Sequence, residues 1–231
     1  MSKTIDGHKL IKGIGTIILY LVLTIVLQIP FVFLIKKELI SSELSTLLVY
    51  AMLAIIFIII FRKDLIKDFK DFKKNGKKIF FTTVKFWLIG FIIMFISAIL
   101  INALPIRGNT NQETNIALLK SSPAIEIALA CFLAPIIEET VFRLSFKKFS
   151  TNKWIYAFVT GILFASIHLI SSIDGVKDLI MLIYIIPFGA LGVTFGLAYH
   201  KTNNIYGTLL VHSLHNTISI LQLLLIGGII L

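Results

Sequence analysis

The sequence predicts an all-α protein, a polytopic transmembrane bundle of about seven to eight helices. Three observations lead there. The 231 residues are 57% hydrophobic and only 15% charged, where soluble domains carry roughly 45–50% apolar and about 25% charged residues. The mean hydropathy is +0.95. Apolar runs recur along the whole chain, each near the ~20 residues a helix needs to cross a bilayer.

The elements follow in order. Residues 1–12 are short and basic, and the run after them is too long for a signal-peptide core. With no small-residue cleavage site, residues 14–35 read as an uncleaved first span holding Gln28 and Pro30. Residues 44–61 are the second span. Residues 62–78 carry eight basic and three acidic residues, with Leu65, Ile66, Phe69 and Phe72 at helical spacing. That pattern predicts an interfacial amphipathic helix on an anionic leaflet. Residues 79–104 form the third span, with Lys85 snorkelling to its edge. A polar loop is expected over 105–122.

The fourth span, 123–146, carries adjacent acids, Glu138 and Glu139. Residues 154–170 are the fifth, and a polar turn, 171–178, leads to the sixth, 179–199, where Pro187 and Gly189 predict a break or kink. A turn at 200–204 leads to a last run, 205–231, long enough to tilt or to break near Gly227-Gly228. No internal repeat or second domain is visible. The chain reads as one integral membrane domain, 1–231, with a core at about 123–221.

Charge sets the orientation. With the N-terminus inside, the inner segments hold 16 Lys and Arg and the outer loops 5, so the positive-inside rule predicts a cytoplasmic N-terminus in a multi-pass protein of the cell membrane. The net charge of +10 is distributed between the apolar runs, so it argues for the bilayer as partner and against nucleic acid. Cys131, the only cysteine, lies in an apolar run and reads as packing.

Ionisable residues inside membrane helices point to function. Glu139 and Arg143 are four apart and share a helix face, which predicts an ion pair that holds the helix. Glu138 projects about 100° away and is left for chemistry. The fifth span adds Phe164 and His168. The last span adds His212 and Asn216, again four apart, with His215 beside them as a lining or packing residue. At 1.5 Å per residue, Glu138, His168, His212 and Asn216 all lie roughly 10–20 Å from the expected cytoplasmic face, in one slab. An acid, two imidazoles and an amide suffice to hydrolyse an amide by activated water. Glu138, His168 and His212 are also the candidate ligands for a divalent metal such as zinc. No His-Glu-x-x-His motif is present.

Glu-Glu-x-x-x-Arg, then Phe-x-x-x-His, then His-x-x-x-Asn, in that order on successive membrane helices, resembles the CPBP family, the type II CAAX proteases and bacteriocin-processing (Abi) proteins. Glu138, Glu139 and Arg143 match the first motif, Phe164 and His168 the second, His212 and Asn216 the third. The resemblance covers roughly residues 125–221. It implies an intramembrane endopeptidase acting on a membrane-associated peptide or protein. In that scheme Glu138 and His168 activate water, His212 and Asn216 stabilise the oxyanion, and Glu139 and Arg143 support the site. Members are often labelled metalloproteases, yet the glutamate-and-water scheme requires no cofactor. The alternative is a non-catalytic membrane immunity or scaffold protein.

Overall fold

The computed structural model describes residues 5–105, 110–170 and 176–226. The described residues are almost wholly helical, with one isolated β-bridge, Ile5 to Ser150. In chain order the helices are α1 (Gly7–Lys36), α2 (Ser42–Asn102), α3 (Thr110–Ser121), α4 (Pro123–Ala128), α5 (Ala134–Glu139), α6 (Lys153–Ile170), α7 (Ile185–Thr202) and α8 (Ile205–Ile226). Two π turns, Leu129–Leu133 and Thr140–Leu144, extend α4 and α5 into one rod, and a 3-10 stretch, Val176–Tyr184, leads into α7. Among the described residues, α1, α2, α6, the run Leu179–Thr202 and α8 are long and apolar enough to cross a membrane.

The second span, the amphipathic segment and the third span form a single helix. α2 runs 61 residues without interruption, about 90 Å if it were straight. It is not straight. Gln28 bonds Ser45, Tyr20 meets Phe57 and Lys12 covers Phe61, so the first limb descends antiparallel to α1. At the end it reaches, Asp64 pairs with Lys147 at 2.8 Å, and the Asp68 carboxylate accepts the Ile205 amide at 3.0 Å. From there Ile79 and Thr83 pack on Gly207 and the Trp87 indole reaches His215. The second limb therefore leaves the same end, alongside α8. α2 doubles back, and its hydrophilic middle crosses that end of the bundle. All eight cations of 62–78 are exposed, while Asp64, Asp68 and Asp71 turn inward onto other elements.

Two other expectations change. The expected polar loop over 105–122 contains a helix, α3, whose Leu119 is buried against Cys131 and Ile220. One apolar anchor and a helix-compatible Asn/Gln/Glu run are enough to wind it. In the sixth span, where Pro187 and Gly189 predict a break or kink, a 3-10 stretch gives way to α7 at Ile185, and Pro187 sits in the first turn of α7, where its missing N–H breaks no helical bond. The turn at 171–175, the loop residues 106–109 and the Gly227-Gly228 position lie outside the described residues.

α6 and α7 pack in closest approach. A Cβ on Gly192 would lie 2.8 Å from the Gly161 carbonyl, and one on Gly161 would lie 2.5 Å from the Val193 nitrogen. Only hydrogen fits between these backbones, the small-residue packing common in membranes. This contact brings α7's backbone to the buried rod.

Candidate active site

The two acids lie on α5, between the two π turns. Pro135 explains the first of them. It has no N–H, and the Ala134 N–H reaches back five residues to Leu129. The Ala130 carbonyl thus loses its helical partner. The Asn216 side chain replaces it, Nδ2 donating to that carbonyl at 2.7 Å. At the second turn the Ser145 N–H bonds Thr140, and the freed Val141 carbonyl accepts the Ser145 hydroxyl at 2.6 Å. Single π turns recur at functional sites because they shift the phase of the side chains beyond them.

Three elements converge on Glu138. His168 of α6 places Nε2 at 3.8 Å from Glu138 Oε1, and His212 of α8 places Nε2 at 3.6 Å from Oε2. Each ring is held from behind. The His168 Nδ1–H donates to the Phe164 carbonyl at 2.9 Å, and the His212 Nδ1–H donates to Glu139 Oε1 at 3.0 Å. With Nδ1 committed as donor, the neutral tautomer of each ring presents a lone pair at Nε2 to Glu138. Phe164 and Phe188 flank His168, and Phe195 lies over His212. The side chains of Glu138 and His168 keep 16% of their surface exposed, so the point of convergence is accessible.

Behind it lies an enclosed ion pair. Glu139 and Arg143 are both 0% exposed, with Nε at 3.8 Å from Oε2. Arg143 Nη2 donates to the Gly192 carbonyl at 3.2 Å, and its guanidinium covers the Phe164 ring at 5.2 Å. Among the described residues its Nε and Nη1 have no hydrogen-bond acceptor. Glu139 therefore does more than clamp its own helix: it fixes the tautomer and direction of His212, across to α8. His215 is buried and accepts the Trp87 indole at 3.3 Å, turned away from the acids.

Six residues of the three motifs, Glu138, Glu139, Arg143, Phe164, His168 and His212, are connected by direct contacts, while Asn216 is held two turns away along the rod at the Ala130 carbonyl. Asn216 uses one of its two amide N–H groups on Ala130. Sequence reasoning missed Phe188 and Phe195, although their spacing of seven puts both on one face of α7. It also missed Gly192, Ala130 and Trp87, whose contributions are a bare carbonyl, a freed carbonyl and a long-range donor; Pro135 just ahead of the acids was the available signal for the freed carbonyl.

The donor types also suit a zinc-like ion, and both imidazoles are anchored at Nδ1 as metal-bound histidines are. Among the described residues, however, no three His, Cys, Asp or Glu side chains gather closely enough to hold a metal.

Residues 120–218 match the family model described as type II CAAX prenyl endopeptidase Rce1-like. No curated protein and no solved structure matches the chain. The matched segment contains the rod, α6, α7 and the site-bearing part of α8, and over it the chain is similar to the type II CAAX prenyl endopeptidases.

Proposed function

We propose that the protein hydrolyses a peptide bond beside or within the bilayer, using a water activated by Glu138. The observation that carries this reading is the approach of two anchored Nε2 atoms to the two oxygens of one accessible carboxylate, at 3.8 and 3.6 Å. Both gaps are too long for direct hydrogen bonds and suit a bridging water. A water donating to Glu138 Oε1 and His168 Nε2 keeps its lone pairs free for attack on the carbonyl carbon. Glu138 takes the proton and passes it to the leaving amine. His212 lies beside the opposite oxygen, its ring direction set by Glu139, where it flanks the developing oxyanion. Asn216, one turn beyond His212 on α8, keeps a second N–H and is the second candidate donor. No step in this scheme runs through a metal.

The substrate is a membrane-associated peptide or protein, and maturation of a peptide, a CAAX-type cleavage or bacteriocin immunity are the roles such an activity fits. The test compares protein termini across cells that make the wild-type or the Glu138→Gln protein. General acid–base groups contribute about 10²–10⁴-fold, so cleavage in the variant should fall at least hundredfold while the protein remains folded. Identical termini in the two strains would favour the non-catalytic scaffold. Activity of the purified protein should be equal with and without a strong chelator.

A further inference from the structure

Glu126 is a second acid on the rod, and nothing in the mechanism uses it. It lies in α4 and is only 4% exposed. Among the described residues it makes no hydrogen bond and no ion pair. It is not a helix cap, because Ser122 occupies that position and Glu126 bonds no backbone amide. Its oxygens are not among the fully enclosed polar atoms, so an incoming group can reach them, and a largely desolvated carboxylate with no partner calls for one.

The first π turn decides where it points. Glu126 and Glu138 are twelve residues apart, which on an unbroken α-helix puts them about 120° out of phase. The π turn at Leu129–Leu133 lies between them and takes up one extra residue, which returns them to within about 20° of one face. Between them on that face lie Ala130 and Ala134, both only half-buried. Tyr50, on the first limb of α2, packs against the core cluster that contains Ile137 of the rod. The result is one face of the rod with Glu138 toward one end, Glu126 toward the other and small side chains between them.

We propose that Glu126 is a specificity subsite that takes a lysine or arginine side chain of the substrate. Its distance from Glu138 along the rod is about 18 Å. An extended peptide advances about 3.3 Å per residue, which places the basic residue about five positions, within one, from the bond that is cut. An arriving ammonium or guanidinium supplies the counter-charge that the fold withholds. This inference rests on the protease reading for the word substrate, but the binding it describes can be measured without turnover.

The probe is a pair of fluorescein-labelled apolar decapeptides in detergent micelles, identical except for a lysine or the isosteric norleucine at one position. Binding is measured on the full-length Glu138→Gln protein, so that cleavage plays no part. The lysine peptide should bind at least tenfold tighter. In Glu138→Gln/Glu126→Gln the preference should vanish, and in Glu138→Gln/Glu126→Asp it should survive in weaker form. Equal binding of the two peptides to Glu138→Gln, or a preference that persists without Glu126, overturns the proposal. A melting temperature for each variant shows that the fold is intact. Comparison of termini from wild-type and Glu126→Gln cells should show a basic residue four to six positions from wild-type cuts and its loss in the variant. A binding preference without any change of termini in Glu138→Gln cells would sink the protease reading and leave the cation site standing.

Discussion

At the scale of single residues, the site depends on what stands behind each reacting group. Glu139 holds His212 by one oxygen and faces Arg143 with the other. Replacing it with glutamine leaves a buried guanidinium without a counter-ion, and breaking a buried pair from one side costs about 3–5 kcal/mol. Glu139→Gln should therefore melt well below the wild type, and Glu139→Gln/Arg143→Met should recover part of the loss. Both should stay inactive, because His212 has lost its orienting carboxylate; a melting curve and a cleavage assay on the same samples separate the two effects. The seven motif residues were legible in the sequence because spacing of four puts pairs on one face of a helix. What could not be read was the role of Glu139 toward His212, since the partner lies on another helix and only tertiary packing brings it there. The same is true of Ala130 and Gly192, which act through backbone carbonyls that no side-chain pattern reports.

At the scale of elements, the rod 123–144 gains its geometry from two phase shifts. Pro135→Ala restores an N–H to the stretch and removes a residue that costs about 3 kcal/mol inside a helix. It should leave the melting temperature unchanged or higher. Activity should nevertheless fall at least tenfold, because relaxation of the π turn rotates one end of the rod against the other. A variant as active as the wild type would show that the turn is incidental. α8 offers a second check. Asn204 caps it by accepting the Tyr206 amide at 3.0 Å, and also donates to the Asp68 carbonyl at 2.7 Å. Asn204→Ala should destabilise by about 1–2 kcal/mol, read as a lower unfolding midpoint, and loosen the grip of α2 on α8. The long apolar segments were plain in the sequence because period and length identify them. α3 was not, because a short polar helix held by Leu119 has the composition of a loop. Nor was the continuity of α2, because hydropathy marks where a helix leaves lipid and says nothing about whether its backbone bonding stops there.

At the scale of the whole molecule, α2 packs against both the rod and α8, and the fold turns one end into a strongly basic surface. The middle of α2 presents eight exposed cations, while its three acids bond other elements. If this end is cytoplasmic, a cysteine at Lys74 should react with an impermeant maleimide in inverted vesicles and not in intact cells, while buried Cys131 stays silent. Labelling from outside would reverse the orientation. The cradle also has a temporal side. A ribosome delivers this chain from its beginning, so the doubled-back helix that supplies Tyr50 and Trp87 is synthesised before any motif residue emerges. The later half is threaded into a mould already in place, and a chain cut near the α2–α3 junction should regain activity when both pieces are made in one cell.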